Sequence, residues 1–123
     1  MILYLLNILI ARWKILTTST VVIILFFSLY PVHYTPNHYH NDKAFHVITY
    51  LFLTTPISIV KPYHYRLLYL FFILLGGLIE VVQPLFGRHQ DFLDFTSNSA
   101  GILLGIIFGA MVRKKYSHLS CFN

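Results

Sequence analysis

Charged residues are scarce in this chain of 123 residues. Only 11% of the sequence is Asp, Glu, Lys or Arg, whereas a water-soluble domain typically carries about 25%. Intrinsic disorder is excluded as well, because 57% of the residues are hydrophobic and 17% are aromatic. The single cysteine leaves no second thiol for a disulfide scaffold within the chain. With these classes excluded, the composition indicates a small polytopic membrane protein with one domain.

Four apolar stretches, separated by charged residues, make up most of the sequence. They run from Ile15 to Tyr30, from Ala44 to Val60, from Leu67 to Phe86 and from Phe92 to Val112. About 20 helical residues cross a hydrocarbon core of ~30 Å. The third and fourth stretches are therefore long enough, and the first two need flanking aromatic or polar residues. We predict an all-α membrane protein, a four-helix transmembrane bundle with short loops.

Basic residues lie mainly on one side of the predicted spans. Seven of the nine are Arg12, Lys14, Lys61, Arg66, Arg113, Lys114 and Lys115, and the other side has Lys43 and Arg88. Because loops rich in Lys and Arg stay in the cytoplasm, both termini and the loop between the second and third spans are predicted to be cytoplasmic. This topology accounts for nearly all of the net charge of +5, so no nucleic-acid partner is expected.

The opening segment, Met1 to Ala11, is apolar but is separated from the first span by Arg12 and Lys14. It either lies at the membrane interface or lengthens the first helix, and the sequence leaves both alternatives open. The chain thus divides into an N-terminal apolar segment (residues 1–14), the transmembrane domain (15–112) and a basic cytoplasmic tail (113–123).

Glycines form a row on one face of the fourth predicted helix, at Gly101, Gly105 and Gly109. Faces of small residues let helices approach closely in lipid. We expect this row to pack within the bundle, and contact between two copies of the chain is the alternative. Gly76 and Gly77 in the third span would permit either close packing or a local kink.

All four acidic residues fall on the outer side of this topology or in the outer half of a span. Helical spacing groups them with other polar residues into three stripes. These are Asp42, His46 and Tyr50 with Lys43 on the second helix, Glu80 and Gln83 on the third, and Asp91, Asp94 and Asn98 on the fourth. The short loops Lys61 to Arg66 and Gly87 to Asp91 are expected to place the second, third and fourth helices side by side.

A polar pocket that opens to the outer side is the geometry these stripes predict. We expect Lys43 or Arg88 to contact at least one of the acids Glu80, Asp91 and Asp94, because an unpaired charge at membrane depth is costly. The alternative is a network of polar contacts that only holds the helices together.

The combined polar pattern resembles that of the VanZ-like family of small bacterial membrane proteins. It consists of Asp42-Lys43-x-x-His46-x-x-x-Tyr50, Glu80-x-x-Gln83 and Arg88-x-x-Asp91-x-x-Asp94-x-x-x-Asn98-x-x-Gly101. The resemblance covers the chain from about Asp42 to Val112. The family is named for a protein that confers low-level resistance to the glycopeptide teicoplanin. It implies a bacterial cytoplasmic membrane and a cell-envelope context, without defining a reaction.

Three functions are open for such a pocket. The first is binding or processing of an anionic lipid-linked envelope intermediate, with acid–base residues His46, Glu80, Asp91 and Asp94 and binding residues Lys43, Tyr50, Gln83, Arg88 and Asn98. The second is a divalent cation, Mg²⁺ or Mn²⁺, on the same histidine and acids, although no tight local spacing supports a metal motif. The third is a non-catalytic protein that alters envelope access or partners with another membrane protein.

No nucleophile elbow, P-loop or zinc-helix motif is present, so the sequence leaves open whether the chain is an enzyme. The loop from Pro31 to Asn41 carries His33, His38 and His40 among tyrosines. We interpret it as an aromatic loop at the lipid headgroups, with a weak metal-binding loop as the alternative.

Cysteine accessibility labelling tests the predicted topology. In a Cys121→Ser background, a reporter thiol introduced by His89→Cys should react with a membrane-impermeant reagent applied from outside, whereas one introduced by Ser117→Cys should not. Labelling at position 117 in intact cells would overturn the topology and the outward-facing pocket.

Overall fold

Four long helices make up the structure, a computed structural model that describes residues 1–31 and 39–117, without the side chains of residues 39–42. The helices are α1 (Ile2–Leu29), α2 (Tyr39–Val60), α3 (Tyr65–Val82) and α4 (Phe92–Tyr116), with a short 3₁₀ helix, Gln83–Phe86, after α3. The described residues contain no strand. Each of the four helices is long and apolar enough to cross a membrane. The predicted all-α four-helix fold is confirmed, and the chain is a multi-pass membrane protein.

The apolar opening segment belongs to α1. Its 28 residues form one helix, interrupted by a single non-helical residue, Arg12 (φ −114°, ψ 16°). At 1.5 Å per residue, such a helix is about 42 Å long, which exceeds the hydrocarbon core. The segment before Arg12 therefore lengthens the first helix across a kink.

The glycine row of α4 packs directly against the backbone of α2. A Cβ atom built on Gly101 would lie 2.5 Å from the carbonyl oxygen of Val47, and one built on Gly105 would lie 2.6 Å from that of Leu51. Gly109 repeats the contact one step further along, at the carbonyl of Thr55. The residue numbers rise together on both helices, so α2 and α4 run parallel. The expected packing within the bundle is confirmed.

Small hydroxyl residues line the face of α2 that meets the glycines. The Thr54 hydroxyl donates to the carbonyl of Tyr50 (2.9 Å), and the Ser58 hydroxyl donates to that of Thr54 (2.9 Å). Thr54 is also 3.3 Å from the carbonyl oxygen of Ile102 on α4. These hydroxyls satisfy their hydrogen bonds without water while leaving room for close backbone contact.

Close contact between α2 and α3 is sparse, which differs from the expectation that the loop Lys61 to Arg66 would place them side by side. The two helices meet through long side chains, as in the 2.6 Å hydrogen bond between Ser58 and Tyr69. The glycine row lets α4 pack closely against α2. The short loop instead predicts that α3 would be the close neighbour of α2.

α4 continues beyond the predicted span into the basic segment. Arg113, which the sequence analysis assigned to the tail, lies on α4, and its Nη1 donates to the carbonyl oxygens of Ile59 (2.6 Å) and Val60 (3.0 Å). These carbonyls end α2 and have no partner within their own helix. A cation at this position is also favourable for the helix dipole.

Apolar side chains from all four helices meet in one core. Its buried members are Ile24, Tyr50, Leu53, Ile57, Phe72, Ile79 and Ile102. Large apolar side chains on the outside of the bundle, such as Phe52, Leu74 and Phe108, are exposed, as contact with lipid requires.

The substitution Gly105→Leu should destabilise the bundle strongly, because its side chain would enter the backbone of α2. Overpacking of this kind costs about 1–3 kcal/mol or more. The matched control is Leu104→Ala, since Leu104 is the next residue on the same helix and is 47% exposed. Thermal melting in detergent should give a clearly lower Tm for Gly105→Leu than for Leu104→Ala. Equal melting temperatures would contradict the packing role of the glycine row.

Candidate functional site

Polar side chains gather at the end of the bundle where α3 joins α4. We call this group the polar cluster. It consists of Lys43, His46 and Tyr50 from α2, Glu80 from α3, and Asp91, Asp94 and Asn98 from the start of α4.

A histidine and two carboxylates from three helices form the centre of the polar cluster. His46, Glu80 and Asp94 each offer one ligand atom, and these three atoms lie within 4.8 Å of one another. The three residues are 2%, 4% and 5% exposed. The convergence of the three polar stripes, which helical spacing predicts, is therefore present.

The parallel register of α2 and α4 brings Lys43 and His46 to the two aspartates. The Lys43 ammonium is 2.8 Å from the Asp91 carboxylate and 3.6 Å from that of Asp94. The His46 Nε2 atom is 3.8 Å from Asp94 Oδ2. The predicted contact between a cation and an acid is confirmed, with Lys43 as the cation.

Asp91 also begins α4. Its second carboxylate oxygen accepts a hydrogen bond from the backbone N–H of Leu93 (2.9 Å), which makes it the N-cap residue. One side chain therefore fixes both the start of α4 and the position of Lys43.

Glu80 connects the polar cluster to a cleft beside it. One carboxylate oxygen, Oε2, is 3.5 Å from the backbone nitrogen of Asp91, a long hydrogen bond. The other oxygen, Oε1, has no hydrogen-bond partner among the residues that the structure describes. The cleft has a volume of about 450 Å³ and lies where α3 meets α4, lined by Gly77, Glu80, Gln90, Phe92 and Phe95. Gln90 and the two phenylalanines were not singled out by the sequence analysis, although they flank Asp91 and Asp94.

Tyr50 and Asn98 lie beside Gly76, deeper in the bundle. A Cβ atom on Gly76 would lie 3.2 Å from both the Tyr50 hydroxyl and the Asn98 amide nitrogen. Both side chains are buried, and within the described part of the chain neither the hydroxyl nor the amide has a hydrogen-bond partner. α3 shows no kink at the glycine pair, so Gly76 serves close packing around two buried polar groups.

Gln83 and Arg88, predicted to bind substrate, contact the end of α1. Arg88 Nη1 donates to the carbonyl oxygen of Phe27 (3.0 Å), and Gln83 Nε2 donates to that of Ser28 (3.2 Å). A helix end leaves four carbonyls without an intrahelical partner, and these two side chains satisfy two of them. Their spacing in the sequence gave no signal for this role, because the partner helix lies about 60 residues earlier.

The predicted roles of four residues concern side chains that the structure does not describe. These residues are His33, His38, His40 and Asp42.

The polar cluster has the groups for proton transfer and for cation binding. It combines one imidazole with three carboxylates, and one lysine is paired with two of them. Comparison with known proteins identifies no relative: the chain matches no protein-family model, no curated protein and no solved structure.

Proposed function

We propose that this chain is a VanZ-like bacterial membrane protein whose polar cluster binds or processes an anionic lipid-linked intermediate of the cell envelope. One observation carries the proposal: a buried group of ionisable side chains lies next to a cleft at one end of a membrane-spanning bundle. In the predicted topology that end faces outward, both termini are cytoplasmic, and the membrane is the bacterial cytoplasmic membrane.

The free-energy cost of the polar cluster favours a function over mere helix packing. The cost of an ionisable residue rises with depth to about 2.5–3.5 kcal/mol at the centre of the bilayer, whereas a hydrogen bond between helices in lipid contributes only ~0.6 kcal/mol on average. α2 and α4 are already held together by the glycine row, without ionised groups. Helix packing alone would therefore not require this many buried acids.

The cleft suits a lipid with a polar head. Phe92 and Phe95 offer apolar surface to a prenyl or acyl chain. Gln90 and Glu80 line the same cleft and offer polar groups to the head of the lipid. Asp94 and Asn98 lie within about 10 Å of the start of α4, which is the depth of the headgroup and the first carbons of a chain.

Two cations at the polar cluster would attract a phosphate in this proposal. Lys43 is partly exposed, with 23% of its side chain accessible. The Arg88 guanidinium lies within electrostatic range of Glu80, and a guanidinium can engage phosphate oxygens through two N–H groups at once. His46, Glu80, Asp91 and Asp94 would then supply general acid or base. A change in the amount or form of such an intermediate at the outer surface is the proposed link to teicoplanin resistance.

The substitution Arg88→Gln should weaken binding of polyprenyl phosphate by roughly 10-fold or more, since a hydrogen bond to a charged group contributes about 1.5–3 kcal/mol. The matched control is Arg113→Gln, because Arg113 also binds carbonyls at a helix end, but at the opposite end of the bundle. Native mass spectrometry of the protein with polyprenyl phosphate, and with the uncharged polyprenol, measures both affinities.

Wild type should prefer the phosphate over the alcohol, and Arg113→Gln should keep that preference. If both arginine variants bind polyprenyl phosphate like wild type, or if wild type does not distinguish it from polyprenol, the proposed function is wrong.

Cells that express the protein should lose teicoplanin resistance on Glu80→Gln or Asp94→Asn, because each change keeps the shape of the side chain and removes its acid–base chemistry. Thr96→Val is the control, since Thr96 is exposed on α4 and its hydroxyl donates to the carbonyl oxygen of Leu93 on the same helix. The minimum inhibitory concentration should fall to that of cells without the protein, at equal expression. Full resistance in both acid variants would instead favour a non-catalytic protein that alters envelope access or binds another membrane protein.

A further inference from the structure

We propose that His46, Glu80 and Asp94 bind one divalent transition-metal ion, Mn²⁺ or Zn²⁺. The metal site stands on the geometry of these three residues. Its use, to hold the phosphate of a lipid in the adjacent cleft in place of the acid–base role of these three side chains, rests on the proposed function.

The distances between the three ligand atoms suit a single ion. The three ligand atoms lie within 4.8 Å of one another, whereas two ligands of one ion with bonds of about 2.0–2.2 Å are at most ~4.4 Å apart. Side-chain torsions of Glu80 and His46 cover the difference. Metal sites in helix bundles are commonly assembled in this way, from single residues on facing helices, so the absence of a tight sequence motif does not count against this one.

The charge of the polar cluster favours a bound cation. Glu80, Asp91 and Asp94 provide three carboxylates, and Lys43 is shared between two of them at 2.8 and 3.6 Å. Arg88 lies within electrostatic range of Glu80 but donates to a carbonyl of α1. Among the side chains that the structure describes, these three carboxylates outnumber the two cations, and excess charge is costly in a buried membrane site. A divalent cation offsets it.

Several buried polar atoms near the three ligands lack hydrogen-bond partners among the described residues. Glu80 is 4% exposed, and its Oε1 has no hydrogen-bond partner among the described residues. The amide of Asn98 and the hydroxyl of Tyr50, both buried near Gly76, are in the same state within that part of the chain. Buried groups of this kind are rare in folded proteins unless a ligand or water satisfies them. A metal ion with bound water would supply such partners.

The ligand set indicates which ions fit. One imidazole nitrogen and two carboxylate oxygens suit Zn²⁺ and Mn²⁺. Three protein ligands leave coordination positions for water or for a phosphate oxygen, as in metal sites that bind substrates. Asp91, which the sequence analysis included among the metal ligands, is not in this group, because it pairs with Lys43 and caps α4.

The experiment uses the full chain in lipid nanodiscs, treated with a chelator and then dialysed against Mn²⁺ or Zn²⁺ alone. Bound metal is measured by inductively coupled plasma mass spectrometry. Wild type should retain about one ion per chain, as a single three-residue site predicts. Glu80→Gln and Asp94→Asn should bind the ion at least about 10-fold more weakly, since even indirect supporting residues have effects of that size.

A pair of histidine variants separates this site from adventitious binding at the surface. Pulsed electron paramagnetic resonance of the Mn²⁺-loaded protein should show coupling to one imidazole nitrogen. His46→Gln should remove that coupling, and His64→Gln should keep it, because His64 is exposed before α3 and its side chain makes no capping bond.

Wild-type protein that retains no metal, or that loses the nitrogen coupling only on His64→Gln, would overturn the site even if a variant failed to fold. Metal binding with no preference for polyprenyl phosphate over polyprenol would keep the metal site and overturn the proposed function. A preference for polyprenyl phosphate over polyprenol without bound metal would overturn the metal site and keep the proposed function.

Discussion

The close approach of α2 and α4 is the contact on which the rest of the structure depends. Because Gly101, Gly105 and Gly109 lack side chains, the two backbones meet over three successive turns. That contact determines which residues of the two helices face one another at either end. At one end it brings Lys43 and His46 to Asp91 and Asp94, and at the other it brings Arg113 to the end of α2. The pairing of α2 with α4 thus rests on packing that involves no charged group.

A second constraint is that carbonyls at helix ends need partners where water is scarce. In this bundle the partners are side chains from distant parts of the sequence. Gln83 and Arg88 hold the end of α1, and Arg113 holds the end of α2. The first helix packs mainly against α2 and makes limited contact with α3, so these bonds tie its end to the segment that follows α3.

Local patterns in the sequence predicted the features that depend on helical periodicity. The four spans, the glycine row and the meeting of His46 with Glu80 and Asp94 follow from residue spacing, and the structure contains all three. The sequence did not predict which helices pack most closely or which side chains bind the ends of other helices. Loop length identifies neighbours along the chain, so it could not predict that α2 packs on α4 more closely than on α3. The contacts of Gln83 and Arg88 with α1 depend on where that helix ends, which apolar composition does not define to within a turn.

A glycine row that repeats every fourth residue does not by itself define the position of α4 along α2, because successive repeats pack in the same way. If α4 slid along α2 by one repeat, about 6 Å, two of the three glycines would still find a backbone carbonyl to pack against. The ion pair of Lys43 with Asp91 would break at one end, and the bonds of Arg113 to Ile59 and Val60 would break at the other. These two contacts, one at each end of the helix pair, therefore favour one alignment over others that have similar glycine packing. A residue that looks dedicated to chemistry, Lys43, also sets the vertical alignment of the helices.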